Sequence, residues 1–310
     1  MKILIIGLGS IAQKHIFAIN KLISNPEIYA FRSGNKKGND FGIKEINNVL
    51  DPGFTPNFVI ISNPTYLHYE TIQLVYKKGW PLFIEKPLFH TLRNTEKLIN
   101  EIIVKKTKCY IACNLRFHPS LVYLKNFFKK YKPIINEVNA YCGSYLPNWR
   151  PKIDYKKNYS AFKEKGGGVH LDLIHEIDYL YWLFGEPINI KSIHSKKSRL
   201  SISSFDFSDY LLEYNDFFVG IRLNYYRRDS KRTLEIVTDK LTIFVDLLKG
   251  EVTNSNGEVL FYKPFDIMNT YFDQMKYFIN FVLNNNNYFN NIEEAYKVLN
   301  ICLYNDEIKK

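Results

Sequence analysis

Short, uninterrupted apolar runs recur through the first third of the chain: Ile3 to Ile6, Ile28 to Phe31, Phe58 to Ile61, Leu82 to Ile84, and Cys109 to Ala112. Runs of this length without polar alternation predict strands buried on both faces. Between them lie stretches with helical spacing. Ala12, Ile16, Ile19 and Ile23 fall at i, i+4, i+7 and i+11, and the stretch from Tyr66 ends in a glycine stop at Gly79. Strand alternating with helix implies a parallel sheet. One interval, Ser33 to Asn57, is too polar and too broken by Gly34, Gly38 and Asn39 for a full helix, and reads as a shortened connection.

After about Pro119 the pattern changes. Helices are predicted at His118–Tyr131 and Val169–Phe184, but the rest alternates polar and apolar positions between turn residues. Asp209–Tyr214 and Phe217–Tyr225 flank Asn215-Asp216; Thr233–Thr238 and Leu241–Asp246 flank Asp239-Lys240; Val259–Tyr262 follows Asn256-Gly257. This predicts an antiparallel meander. Two terminal helices, Phe265–Leu283 and Ile292–Ile308, are separated by the run Asn284–Asn287. The expected fold class is therefore α/β: an N-terminal domain on a Rossmann-type parallel sheet over 1–119, then an α+β domain with a large, mainly antiparallel sheet over 120–310.

Composition narrows the partners. The chain has 310 residues, enough for two ordinary domains, and no apolar run approaches the roughly 18 residues a membrane span needs. The opening MKILIIGLGS has too short an apolar stretch for a signal-peptide core, so the expectation is a cytoplasmic protein with no membrane partner. Cys109, Cys113, Cys142 and Cys302 show neither Cys-x-x-Cys nor paired Cys/His spacing, which points to reduced thiols and no metal site. A net charge of +11 favours anionic partners, but no nucleic-acid signature stands among the scattered lysines.

The first predicted strand runs into Gly7-Leu8-Gly9-Ser10-Ile11-Ala12, the G-x-G-x-x-G/A pattern, and then into the first helix. The first glycine permits a tight turn, the second lets the backbone approach a pyrophosphate, and the small third residue lets helix and strand pack closely. Free N–H groups and the helix dipole at Ser10 and Ile11 favour phosphate. At the end of the second strand, where an acid would select NAD, stand Arg32 and Ser33, with Lys36 and Lys37 nearby. These residues favour NADP(H) over NAD(H); the competing reading lays Arg32 over an adenine face, which suits either cofactor.

Two further patterns carry chemistry. Leu82-Phe83-Ile84 ends in Glu85-Lys86-Pro87, placing two charges at the carboxyl end of a parallel strand, where open α/β sheets bind ligands. An ordinary surface ion pair is the alternative. Gly166-Gly167-Gly168 precedes a helix on which Asp172, His175, Glu176 and Tyr179 oppose a stripe of Leu173, Ile177, Leu180 and Phe184. Asp172 and His175 can then share one face. The alternative is a hinge before a helix with a solvated polar side. A base, an orienting carboxylate and a strand-end cation are what oxidation of an alcohol or reduction of a carbonyl requires.

In this order the motifs resemble those of the Gfo/Idh/MocA family of oxidoreductases. The resemblance covers the whole chain: the glycine loop, Ser62-Asn63-Pro64-Thr65 with His68, Glu85-Lys86-Pro87, Asn114-Leu115-Arg116-Phe117-His118-Pro119, Tyr145-Leu146-Pro147-Asn148-Trp149-Arg150, Gly166 to Asp178, and Tyr225-Tyr226-Arg227-Arg228. The later segments are similar to a branch associated with surface-sugar biosynthesis. The resemblance implies catalysis by Lys86 and His175 with Asp172 assisting. It implies cofactor contacts from Gly7, Gly9, Ser10, Ile11, Ser62, Asn63, His68, Glu85, Trp149 and Arg150, and substrate contacts from Asn114, Arg116 and Tyr145. Many members space the pair Asp-x-x-x-His, whereas here Asp172 and His175 are three apart. The implied reaction is hydride transfer between nicotinamide and a hydroxyl-bearing carbon of a sugar or sugar nucleotide, in a homodimer or homotetramer built on the C-terminal sheet. A non-catalytic dinucleotide-binding regulator and an NAD-assisted glycoside hydrolase are the alternatives on the same fold.

Overall fold

The computed structural model of the chain describes residues 1–32, 43–151, 153–264 and 266–305, and it divides into two compact units. The first comprises Met1–Asn114 with Ile267–Tyr296; the second comprises Leu115–Asp266 with the segment from Lys297. In the first unit, β1 (Lys2–Ile6), β2 (Glu27–Phe31), β3 (Lys44–Glu45), β4 (Phe58–Ile61), β5 (Leu82–Glu85) and β6 (Cys109–Ala112) form a six-stranded sheet ordered β3-β2-β1-β4-β5-β6. Every pair in it is parallel. The order reverses between β1 and β4, which is where doubly wound sheets hold a dinucleotide. α1 (Ser10–Leu22), α2 (His68–Val75) and α3 (Thr95–Lys105) are the crossovers. β4, β5 and β6 are buried along their whole length, which is why they read as unbroken apolar runs.

The second unit begins with α4 (Pro119–Tyr131) and β7 (Ile135–Gly143) and continues through α5 (Val169–Asp172) and α6 (His175–Phe184). Then come β8 (Asn189–Ser195), β9 (Phe207–Glu213), β10 (Phe218–Asn224), β11 (Lys231–Thr238), β12 (Thr242–Asp246), β13 (Glu251–Asn254) and β14 (Val259–Tyr262). These strands form an eight-stranded sheet ordered β14-β13-β12-β11-β7-β10-β9-β8. The expected hairpins are present, but β7 inserts between β11 and β10 and runs parallel to β10, so the sheet is not a plain meander. One face carries Val138, Ala140, Tyr210, Leu212, Val219, Ile221, Leu234 and Ile236, all buried, while Ile193, Leu211 and Phe244 on the alternate positions are exposed.

Two expectations are revised. The helix expected over Val169–Phe184 is broken at Leu173 and Ile174 into α5 and α6. The segment after Asp266, expected in the second domain, belongs to the first unit over Ile267–Tyr296. Its helix α7 (Ile267–Tyr277) continues as a wide turn, Phe278–Val282, and Phe278 lies 5.1 Å from the rings of both Phe58 and Phe83. Together with Met275 and Val282 it covers sheet residues that α1 leaves exposed, and apolar sheet area of that kind must be covered somewhere. A last helix, α8, spans Ile292–Cys302. Among the described residues no helix is long and apolar enough to cross a membrane.

Candidate active site

Gly7 has φ +92°, and a Cβ there would stand 2.5 Å from the Asn63 nitrogen, so the turns after β1 and β4 approach too closely for a side chain at position 7. Ser62 fastens the contact: its N–H donates to the Ile6 carbonyl at 2.9 Å and its hydroxyl to the Gly7 carbonyl at 2.8 Å. Gly9 differs. A Cβ there would meet nothing within 4 Å, yet Gly9 precedes α1, which has no side-chain cap and no acid in its first turn. The first N–H groups of α1, at Ser10 and Ile11, therefore face open space at the positive end of the helix dipole. These residues fit a pyrophosphate, which would supply the missing acceptors and use the room that a side chain at position 9 would occupy. Asn63 donates to Thr71 Oγ1 at 2.7 Å, while its Oδ1 is shut from solvent without a partner.

His68 does not join this group. It is fully buried, with Nε2 3.0 Å from the Asn63 carbonyl and Nδ1 3.1 Å and 3.2 Å from the carbonyls of Pro87 and Leu88. Burial lowers its pKa, partly opposed by those carbonyls. It braces the turns after β4 and β5. Glu85 is likewise turned inward, at 7% exposure, and its Oε1 accepts a hydrogen bond from Nε2 of the enclosed His15 at 2.5 Å. The surface ion-pair reading of Glu85-Lys86-Pro87 is thereby excluded for Glu85. With that carboxylate held on α1, the partly exposed Lys86 stands at the strand end beside a cis Lys86–Pro87 bond. His15 gave no signal in the sequence beyond its place beside the apolar stripe of the first helix.

Arg32 is forked onto Glu45 of β3, with Nε to Oε2 at 2.7 Å and Nη2 to Oε1 at 2.6 Å. A carboxylate thus returns to the end of β2 from the neighbouring strand, which the sequence interval 33–57 did not reveal. Ser33, Lys36 and Lys37 lie outside the described residues.

In the second unit the glycine run has a structural cause. Gly166 and Gly168 have φ +72° and +140°, and a Cβ on Gly167 would stand 2.4 Å from the Tyr159 carbonyl oxygen. The run seats the turn Tyr159–Ala161 against the head of α5. Asp172, 6% exposed at the end of α5, accepts a hydrogen bond from the Tyr225 hydroxyl at 2.5 Å. Its negative charge, with burial second, pushes the Tyr159 phenol well up, and burial followed by Asp172 does the same to Tyr225. Both phenols stay protonated, and Tyr225 donates to Asp172. His175, 8% exposed, opens α6 after the break, so the two residues do not share one continuous helix.

The polar side of α6 is not solvated. Glu176 and Asp178 are both fully buried, Glu176 accepting from Arg232 Nε at 2.6 Å and Asp178 from Arg116 Nε at 3.0 Å and Nη2 at 2.8 Å. Burial works against the Arg232 charge, but Glu176 and the neighbouring Cys142 and Tyr179 hold its pKa above the ordinary arginine range. Arg116, expected at the substrate, is 1% exposed and part of this internal pairing. The helix break has a consequence here: Asp172 turns to Tyr225 after β10, while Glu176 turns to Arg232 on β11. Asn114, in the first unit and 3% exposed, donates to Thr270 Oγ1 at 2.7 Å.

The remaining expected residues are at the surface. Trp149 is partly exposed, meets the Tyr225 ring edge-on at 5.3 Å, and donates to Ser144 Oγ at 2.8 Å. Exposed Arg150 lies 5.8 Å from the centre of the Tyr159 ring, and exposed Arg228 lies 3.6 Å from the centre of the Tyr145 ring. Two guanidinium groups are thereby laid on tyrosine faces. Among the described residues no cluster of His, Cys, Asp and Glu could hold a metal ion.

Residues 1–113 match the model of an oxidoreductase family with an NAD-binding Rossmann fold, and residues 133–260 match that of its C-terminal alpha/beta domain. The chain belongs to the Gfo/Idh/MocA family of oxidoreductases. It is 24% identical to the rhizopine catabolism protein MocA of Rhizobium meliloti over 62% of this chain and 60% of that protein. It is 24% identical to the inositol 2-dehydrogenase of Paracoccus denitrificans (strain Pd 1222) over 64% of this chain and 59% of that protein. The chain spans less than two thirds of the length of these relatives. A solved structure of UDP-N-acetylglucosamine 3-dehydrogenase GnnA from Acidithiobacillus ferrooxidans has a TM-score of 0.77 at 17% identity, covering 98% of this chain and 95% of that one. At that identity the likeness shows the fold.

Proposed function

We propose that the chain is an NAD(P)(H)-dependent oxidoreductase acting on a hydroxyl-bearing carbon of a sugar, with a nucleotide-linked sugar as the preferred form. The observation that carries this reading is that a chain matching both family models has a strand-end cation, Lys86, in its first unit and an imidazole, His175, at the head of α6 in its second. The turn Gly7–Ile11, with Ser62 and Asn63, would hold the dinucleotide. A bound nicotinamide supplies the hydride acceptor or donor. His175 takes the hydroxyl proton as the alcohol is oxidised, since imidazole is the side chain whose ordinary titration range lies near neutrality. Lys86 offsets negative charge on the same oxygen. Asp172 is anchored by the Tyr225 hydroxyl in the second unit.

The nucleotide-linked preference rests on Arg150 and Arg228, whose guanidinium groups suit a diphosphate, and on the Tyr145 and Trp149 rings beside them. This agrees with the activity of the similarly folded UDP-N-acetylglucosamine 3-dehydrogenase GnnA. The NADP(H) preference expected from Arg32 depends on Glu45, which competes with a 2′-phosphate for the guanidinium. The exposed face with Ile193, Leu211 and Phe244 pairs with a second copy, so light scattering should give at least a dimer, and a monomer at micromolar concentration contradicts that pairing.

The test begins with mass spectrometry and nicotinamide fluorescence of whatever copurifies with the protein. Absorbance of the cofactor is then followed against hexoses, amino sugars and nucleotide-linked sugars. Turnover of a nucleotide-linked sugar in excess of its free sugar supports the reading. A bound dinucleotide whose redox state no sugar changes contradicts it and favours a regulator.

A further inference from the structure

Strand alternation puts Phe83 and Glu85, two apart on β5, on one face of the first sheet, and His15 of α1 meets both of them there. Its ring lies edge-on to Phe83 at 4.9 Å, and its Nε2 donates to Glu85 Oε1 at 2.5 Å. The other carboxylate oxygen, Oε2, accepts from the main-chain N–H of Lys86 at 3.3 Å. One carboxylate thus ties α1 to the residue that carries the strand-end cation.

A histidine is a costly residue for this place. His15 is fully buried beside the apolar stripe of α1, the Tyr271 ring lies 5.9 Å away, and among the described residues its Nδ1 has no hydrogen-bond partner. A leucine would fill the same face without leaving a polar atom unmet, so the imidazole destabilises the fold unless its bond to Glu85 offsets the loss. What that bond accomplishes follows from the neighbour in sequence. A carboxylate next to an ammonium pairs with it when no better partner is present, and Glu85 directly precedes Lys86. Here the carboxylate is directed onto His15 instead. The same helix offers its uncapped head, at Ser10 and Ile11, to a pyrophosphate. His15 follows Ser10 by about 7.5 Å along the helix axis, so one rigid element serves both the phosphates and the end of β5.

We propose that His15 is a positioning residue for Lys86: it holds the Glu85 carboxylate on α1, away from the Lys86 ammonium, and fixes the strand end from which that cation is presented. The consequence for turnover rests on the oxidoreductase reading. The consequence for the reactivity of the Lys86 amine does not.

Three variants of the full chain test this. His15→Leu removes the donor and keeps an apolar filler, His15→Gln offers Glu85 an amide N–H in its place, and Ile19→Val loosens the same buried face of α1 without touching Glu85. The first readout is the rate at which trinitrobenzenesulfonate modifies Lys86, followed by peptide mass spectrometry. In His15→Leu it should fall by about threefold or more, because Glu85 then pairs with the ammonium; in His15→Gln and Ile19→Val it should stay within about twofold of wild type. The second readout uses dinucleotide-loaded protein and whichever of glucose, myo-inositol and UDP-N-acetylglucosamine the wild type turns over. His15→Leu should lower kcat by about tenfold or more while KM and the Kd for NADH stay within about threefold. His15→Gln should recover most of the lost kcat, and Ile19→Val should keep it despite a lower melting temperature. An unchanged or faster modification of Lys86 in His15→Leu, an unchanged kcat, an equal fall in Ile19→Val, or no recovery with glutamine overturns the proposal. Where His15→Leu does not fold, His15→Met carries the same comparison. If the wild type turns over none of these ligands, the oxidoreductase reading fails by itself, and the modification rates alone decide the role of His15.

Discussion

In the first unit, the groups prepared for a ligand are mostly main chain, the turn at Gly7 and the uncapped N–H groups of α1, joined by the strand-end cation Lys86. In the second unit they are side chains, and each is held by another side chain. Asp172 is held by Tyr225; Glu176 and Asp178 on α6 are gripped by Arg232 and Arg116. Main-chain sites need particular backbone shapes, so their cost of substitution appears as steric conflict. Sites built from buried charge depend on complete pairing, and their cost appears when one partner is lost.

The largest effect that would break this contrast lies at Arg116. Arg116→Met should lower stability by about 3–5 kcal/mol, because Asp178 is left as an unpaired buried charge. A second change, Asp178→Leu, should recover most of that loss in thermal unfolding. If Arg116→Met instead raises KM with an unchanged melting temperature, Arg116 belongs to the substrate and the contrast fails.

Acid should reveal the same property of the second unit. His118 caps α4, accepting from the Ser120 N–H through Nδ1 and donating from Nε2 to the Leu247 carbonyl. Burial, with Arg232 adding to it and the Leu247 carbonyl opposing, takes its pKa down to about 4. A depressed imidazole pKa means that the unfolded chain binds the proton first. Stability is therefore fully present above the unfolded value and falls as pH drops from about 6.5 to about 4, by about 3 kcal/mol for this one group. His118→Gln should flatten that slope in denaturant unfolding followed against pH; an unchanged slope would remove His118 from the account.

The contrast also explains what the sequence made legible. Glycine spacing and strand-end charge are local, so the turn at Gly7–Ile11 and the placement of Lys86 could be read from neighbours in the chain. The two-faced burial of β4 to β6 was equally visible as unbroken apolar runs. The parallel pairing of β7 with β10 and the return of α7 to the first unit join distant segments, and no local pattern encodes them. Among side chains, His68 and Arg116 carry the right chemistry for a site, yet burial assigns them to bracing and pairing. The bond from the Tyr225 hydroxyl to Asp172 is equally invisible, since it joins residues 53 positions apart. The same holds for Glu45, whose partner Arg32 is thirteen residues away on another strand.

Smaller effects should separate the two glycines of the first unit. Gly7→Ala, with its Cβ against Asn63 at a positive φ, should cost about 1–3 kcal/mol of stability. Gly9→Ala should leave the melting temperature unchanged and weaken dinucleotide binding about tenfold or more, because the added methyl occupies ligand space only. If Gly9→Ala lowers stability with undiminished affinity, the space at Gly9 is not a ligand cradle. Smaller still, Glu45→Gln should release Arg32 and shift the affinity ratio toward NADP(H) by about tenfold, one charge-assisted contact being of that size. An unchanged ratio in calorimetry would dissociate this pair from cofactor choice.

The most direct test of the central claim is turnover by Lys86→Met and His175→Asn, each saturated with dinucleotide, against the nucleotide-linked sugar that the wild type uses. The account predicts that both lose about two or more orders of magnitude in kcat while the dinucleotide Kd stays within about twofold of wild type. Full activity in both variants would contradict it.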